Sequence, residues 1–193
     1  MNGKKIGFAM CGSFCTFSLA LKAIDDLLSA GAEVVPIMSD AAYGTDTRFG
    51  TAEYFKNTIR VKTGNDIIHT ITQAEPLGPA IPLDALVIAP CTGNTLAKLA
   101  NGIADSAVTL AVKAHLRNLR PVVIGVSTND ALGAAAQNIG RLLSRRSIYF
   151  VPLAQEIETA YKIQFYHFGR RSGACQISPG AKTASAPAAS IHN

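Results

Sequence analysis

At 193 residues, 48% hydrophobic and 16% charged, the chain suits one α/β domain with an ample core and is too short for two. It has no apolar run long enough to span a bilayer and its amino terminus passes straight into a strand without a cleavable signal pattern, so a cytoplasmic protein is expected. Its net charge of +5 falls to +3 for residues 1–153 once Lys162, Arg170, Arg171, Lys182, Glu156 and Glu158 are set aside, which suits small anions and is too weak and dispersed for nucleic acid.

In chain order, Ile6 to Met10 is a short apolar strand that runs into Cys11-Gly12-Ser13-Phe14-Cys15-Thr16. A helix follows with Phe17, Leu21, Ile24 and Leu28 at helical spacing, and Gly31 stops it. Strand, Gly-Ser turn and helix make a phosphate cradle, in which backbone N–H groups point at an anion and Ser13 and Thr16 add hydroxyls. Ordinary helix capping by the same residues is the competing reading. The second strand, Glu33 to Met38, delivers Ser39-Asp40-Ala41-Ala42. In the loop beyond, Arg48 has the fork geometry to clamp a carboxylate, or else pairs with Asp46. His69 fits the flank of a helix in a structural role, and the proline-rich stretch Gln73 to Asp84 is expected to be a rigid loop.

Leu86-Val87-Ile88-Ala89 has the composition of a strand buried on both faces of a parallel sheet, and Pro90 is expected to end it. A polar turn at Cys91-Thr92-Gly93-Asn94 leads into a helix with Leu96, Leu99 and Ala100 on one face and Lys98 on the other. Asn94 at the helix start either caps the helix or reaches a ligand. An amphipathic helix over 108–119 carries His115 on its apolar face, packed or interfacial rather than catalytic. Pro121 to Val126 is another apolar strand, Ser127-Thr128-Asn129-Asp130 another polar turn, 131–144 a helix with Leu132, Ile139, Leu142 and Leu143, and 148–151 a last strand. Four polar turns, at 12–16, 39–42, 91–95 and 127–130, converge on one edge of the sheet, where ligands bind in open α/β folds. Cys11, Cys15, Cys91 and Cys175 show no C-x-x-C spacing and read as free thiols without a metal. The composition of residues 154–193, ending near Lys182-Thr183-Ala184-Ser185-Ala186-Pro187, cannot bury a core and points to disorder.

The stretch Ala89-Pro90-Cys91-Thr92-Gly93-Asn94-Thr95, with Lys98-Leu99-Ala100-Asn101-Gly102-Ile103-Ala104-Asp105, resembles the signature of flavoproteins related to the flavin-containing cysteine decarboxylases. The resemblance implies an α/β fold with an open, mostly parallel sheet and helices on both faces, Rossmann-like or flavodoxin-like. It also implies bound FMN, with Gly12 and Ser13 on the phosphate, Ser39 near the ribityl chain, and Cys91, Thr92, Asn94, Ser127, Thr128 and Asn129 completing the cofactor site. Segments 45–50, 74–79 and 121–133 are similar to one branch, the B subunits of the two-subunit dipicolinate synthases of sporulating bacteria. That implies an oxidoreductase component that takes part in forming pyridine-2,6-dicarboxylate from a dihydrodipicolinate-type intermediate of the lysine pathway. Its partners would be the A subunit of dipicolinate synthase, which looks NAD(P)-dependent, and further copies of itself in a homo-oligomer. Arg48, Thr92 and Asn94 would contact the dicarboxylate substrate, and no residue is assigned to proton transfer.

The decarboxylases carry a histidine ahead of the central strand where this chain has Glu75-Pro76, which puts decarboxylation in doubt. A decarboxylase or flavin-modifying transferase, or a non-catalytic component that stabilises the A subunit, remain the alternatives. From Leu153 the resemblance stops, so residues 154–193 are either a natural divergent tail or the product of a frameshift, the second being preferred because the break is abrupt.

Overall fold

β-Branched and aliphatic runs set the strands. A computed structural model describes residues 1–152 and the two-residue segments Ala154–Gln155 and Ile163–Gln164. Strands β1 (Lys5–Met10), β2 (Glu33–Met38), β3 (Ala85–Cys91), β4 (Val122–Val126) and β5 (Ile148–Phe150) form one sheet in the order 2-1-3-4-5 with every pairing parallel. This is the flavodoxin-like strand order. Ala154–Gln155 pairs antiparallel with Ile163–Gln164, and the expected disorder of the remaining tail lies outside the described residues.

Side chains alternate across the strands, so both faces of the sheet carry a core. On one face Leu86, Ile88, Val122 and Ile124 pack with α5 (Gly93–Ala100), α6 (Ala107–Arg117) and α7 (Ala136–Leu143). On the other, Ile6, Phe8, Val34 and Val87 pack with α1 (Phe17–Ser29) and α3 (Ala52–Thr63). Burying each such side chain stabilises the fold by roughly 1.5–3 kcal/mol. A Cβ at Gly7, in the middle of β1, would lie 2.7 Å from methyl groups of both Leu83 and Leu86, so a larger residue there would have to push these two buried leucines aside.

Three expectations change in three dimensions, and one helix appears that the sequence pattern does not show. β3 does not stop at Pro90 but runs to Cys91, with a cis Ala89–Pro90 bond and an irregular register between Ile88 and Cys91, which accommodates a residue that has no N–H to give. The 73–84 stretch is not wholly loop. Short helix α4 (Ile71–Ala74) begins with a capping box between Thr70 and Gln73, and a 3-10 turn at Glu75–Leu77 follows, because Ala74 and Leu77 bury against α6. Helix α7 begins at Ala136 rather than 131, since the Asp130 carboxylate accepts the N–H of Ala134 at 3.0 Å and holds residues 130–135 in turns, leaving Leu132 exposed. Helix α3, with only Ala52, Phe55 and Ile59 buried, has too narrow an apolar stripe to stand out in the sequence. Among the described residues no helix is long and apolar enough to cross a membrane.

His115 lies on the buried face of α6 with 1% of its surface exposed. Its Nε2–H donates to the Pro121 carbonyl at 3.1 Å, and Nδ1 has no partner among the described residues. Burial pulls its pKa below the ordinary 6.5, against a smaller opposing effect of the Pro121 bond. The unfolded chain therefore binds a proton at higher pH than the folded one, so stability falls as pH drops below about 6.5 and goes on falling until the folded-state pKa is passed. His115→Gln keeps an N–H donor without the titration, and melting curves from pH 7.5 to 5 should show a smaller loss of melting temperature in the variant than in the parent.

Candidate functional site

Because β2 lies on one side of β1 and β3 on the other, the connections leave β1 and β3 in opposite directions, and a crevice opens between their carboxyl ends. Three backbone hydrogen bonds beyond the strand ladders set the turns there. Cys11 N–H donates to Pro90 O at 3.0 Å, Ser127 N–H to Cys91 O at 2.8 Å, and Ser39 N–H to Met10 O at 3.0 Å. The ends of β1, β2, β3 and β4 are thus held in step, and all four predicted polar turns sit on one edge.

The first turn crosses over the end of β3 to meet the fourth. Ser13 Oγ lies 2.7 Å from Ser127 Oγ, and Thr16 Oγ1 lies 3.3 Å from Ser127 Oγ while donating to Ser13 O at 2.8 Å. Thr16 and Ser127 are buried. The N–H groups of Gly12, Phe14 and Cys15 have no acceptor among the described residues, nor do those of Gly93 and Asn94 at the start of α5. No acidic residue stands at 11–16, 91–95 or 127–129. A neutral, donor-rich lining of this kind fits an anionic group such as a phosphate.

The third turn divides its residues between core and crevice. Thr92 is the cap of α5: its hydroxyl oxygen accepts Thr95 N–H at 3.3 Å and its proton goes to Thr95 Oγ1 at 3.2 Å. The Thr95 hydroxyl in turn donates to Cys11 Sγ at 3.3 Å. Cys91, expected among the cofactor residues, is fully buried, and its side chain is placed in the core beneath the turn because β3 continues to that position. Hydrogen bonds from Cys91 and Thr95 hold the Cys11 thiol below its ordinary value, and burial pushes that of Cys91 well above it. Asn94 occupies the second position of α5, is exposed, and has no side-chain partner among the described residues. The capping alternative for Asn94 therefore falls, since Thr92 has taken that place.

The other candidates lie at varying removes. Ser39 caps α2 (Asp40–Gly44), accepting Ala42 N–H at 3.3 Å. Thr128 accepts Asp130 N–H at 3.3 Å, and Asn129 is exposed beside it. Arg48 stands exposed in the turn closed by paired Thr47–Gly50 backbone bonds, its guanidinium 4.9 Å from the Phe49 ring centre. It does not pair with Asp46, whose carboxylate accepts Ala52 N–H at 2.8 Å instead. His69 is not on a helix. It precedes the cap of α4 and its ring stacks on Tyr43 at 3.7 Å. The later part of the signature closes α5: Lys98 Nζ holds both carboxylate oxygens of Asp105, at 3.0 and 2.8 Å, and Ile103 N–H returns to Lys98 O. Thr95 is the functional-edge residue that spacing alone passes over, because a threonine three places into a helix looks ordinary.

A family model described as Flavoprotein matches residues 1–161. This chain belongs to the Flavoprotein family. The B subunit of dipicolinate synthase from Bacillus subtilis strain 168 is 47% identical over 156 residues, which are 81% of this chain and 78% of that protein. The crystal structure of the dipicolinate synthase B subunit from Bacillus halodurans C is 45% identical, covers 81% of each chain and superposes with a TM-score of 0.73. The FMN-dependent cysteine decarboxylase SpaF, at 24% identity, 83% and 89% coverage and a TM-score of 0.65, shares the fold. The resemblance drawn from the signature and the fold class both hold.

The division of labour in the third turn has a measurable consequence. Thr92→Ala removes the cap and should cost about 1 kcal/mol in urea unfolding. Asn94→Asp places a carboxylate at the positive end of α5, and should leave stability unchanged or raise it by about 0.5 kcal/mol.

Proposed function

We propose that this flavoprotein is the B component of a two-subunit dipicolinate synthase, binding FMN at the carboxyl edge of the sheet and holding a pyridine-type dicarboxylate against it. The observation that carries the reading is the convergence of four polar turns on the crevice between β1 and β3, with no acidic residue at 11–16, 91–95 or 127–129, in a chain 47% identical to a dipicolinate synthase B subunit. The N–H groups of Gly12, Phe14 and Cys15 and the Ser13 hydroxyl would hold the phosphate, and Ser39 would lie toward the ribityl chain. Asn94 would offer its amide to a substrate carboxylate or the flavin edge, with Thr128 and Asn129 in the turn beside it and Ser127 behind Ser13, and Arg48 would reach the second carboxylate. Bound there, FMN would supply an acceptor for the two electrons that leave when a dihydropyridine becomes aromatic. The residues of the chain orient the ring and neutralise the dicarboxylate. The nicotinamide-dependent A subunit is the partner that completes the enzyme, in a cytoplasmic homo-oligomer. The decarboxylase reading has less support, since Glu75 stands exposed where those enzymes have a histidine and His69 is stacked on Tyr43.

Titration of the purified chain with FMN tests the cofactor, and the expected result is a flavin absorbance band that stays with the protein through gel filtration. A Cβ at Gly12 would meet Ala41 at 3.4 Å and the Phe14 ring at 3.6 Å, ordinary contact that a branched side chain would overfill. Gly12→Val should therefore stay folded by circular dichroism and lose FMN. With the A subunit added, Asn94→Asp should cost roughly 2 to 4 kcal/mol in dipicolinate formation, because the new carboxylate repels the substrate. Undiminished turnover in Asn94→Asp, or a chain that takes up no flavin, would count against this function.

A further inference from the structure

Three hydroxyl groups meet at the back of the first turn, and each has one proton to give. The proton of Thr16 is accounted for, because its oxygen lies 2.8 Å from the Ser13 carbonyl, which can only accept. Thr16 Oγ1 therefore offers only lone pairs to Ser127 Oγ, 3.3 Å away. The 2.7 Å contact between Ser13 and Ser127 holds one proton, which comes from either side. If Ser127 turns its proton toward Thr16, Ser13 must donate to Ser127 and presents only lone pairs to the crevice. If Ser127 donates to Ser13, the proton of Ser13 is released toward the space faced by the Gly12, Phe14 and Cys15 amides, where its one other partner among the described residues is the weak acceptor Cys15 Sγ at 3.9 Å. An anion selects the second arrangement, since it forms a charge-assisted bond with the freed proton and repels the lone pairs of the first. Among the described residues Ser127 Oγ has no other partner, and it is only 7% exposed, so water competes little for its proton.

We propose that Ser127 is a positioning residue, which acts through Ser13 to make the first turn a donor site selective for a doubly charged phosphate ester. This rests on the reading of the first turn as a flavin phosphate site. Ser127 need not touch the flavin. Its hydroxyl polarises Ser13 and fixes its rotamer, and a donor that is itself receiving a hydrogen bond is the stronger donor. The consequence is confined to ligands that carry the phosphate, so FMN feels it and riboflavin does not.

The test is a double-mutant cycle on the full chain, with dissociation constants for FMN and riboflavin read from flavin fluorescence in the parent, Ser13→Ala, Ser127→Ala and the double variant. Ser127→Ala should weaken FMN about five- to tenfold and leave riboflavin unchanged, and in the Ser13→Ala background its further effect should be less than about twofold. Equal weakening of FMN and riboflavin would reduce Ser127 to a packing role and overturn the proposal. Additive losses, or no loss in Ser127→Ala, would overturn it too. A parent that binds FMN alongside uncoupled variants sinks the Ser127 relay alone, whereas a parent with no affinity for FMN sinks both the relay and the flavin site.

Discussion

Two backbone hydrogen bonds at the end of β3 govern the geometry of the site: Cys11 N–H to Pro90 O on one side and Ser127 N–H to Cys91 O on the other. Their acceptors lie within and at the end of the irregular register at Ile88–Cys91, where β3 shifts relative to β4. Through them the first and fourth polar turns are held to the same strand end, close enough for Ser13 and Ser127 to meet at 2.7 Å although their strands are not neighbours. Apolar packing on both faces of β3 gives those bonds a rigid base, and backbone bonds of this kind do not depend on the side chains they position. The crevice is thus built on the end of the buried central strand, a rigid element of the kind precise binding requires.

The stretches 11–16, 91–95 and 127–129 at the crevice carry no charged residue, and what they present to an anion is oriented N–H and O–H groups rather than cations. Such donors reorganise little when a ligand arrives, since they are already pointed by the helix starts and the sheet edge. The charged side chains near the site are mostly committed elsewhere. Lys98 is bound to Asp105, and Asp130 is held in the turn before α7. Arg48 and Asp40 are exceptions, both exposed and without an ion pair among the described residues, Arg48 as a cation on a tightly closed loop.

The signature from Ala89 to Asp105 serves two ends at once. Thr92, Thr95 and Cys91 face inward and bind the turn to Cys11 and the core, Asn94 faces out, and Lys98, Gly102 and Asp105 close the helix, with Gly102 in the left-handed conformation that ends it. A motif that long is specific to a family because most of its members are structural, while the chemistry rests on few of them. His69 shows the reverse: a histidine near the site whose ring is taken up by stacking on Tyr43.

The local pattern of the chain determined the strands, most of the helices, the order of polar turns and the family, since alternation and helical spacing of apolar residues, and the signature itself, are properties of neighbours in sequence. His115 was legible as a packed residue for the same reason. The narrow stripe of α3, the continuation of β3 through Pro90 and the short helix at 71–74 were not, because each is stabilised by contacts made at a distance: Phe55 and Ile59 against the sheet, Pro90 O with Cys11, Ala74 and Leu77 against α6. The assignment of individual side chains at the site belongs wholly to the tertiary structure. Sequence spacing allowed Asn94 to cap α5 and allowed Thr92 and Cys91 to face a ligand; only the direction in which β3 delivers the turn decided that Thr92 caps, Asn94 projects and Cys91 is buried. The meeting of Ser13 and Ser127 is of the same kind, because residues 114 positions apart become partners only when the strands between them are laid down in register.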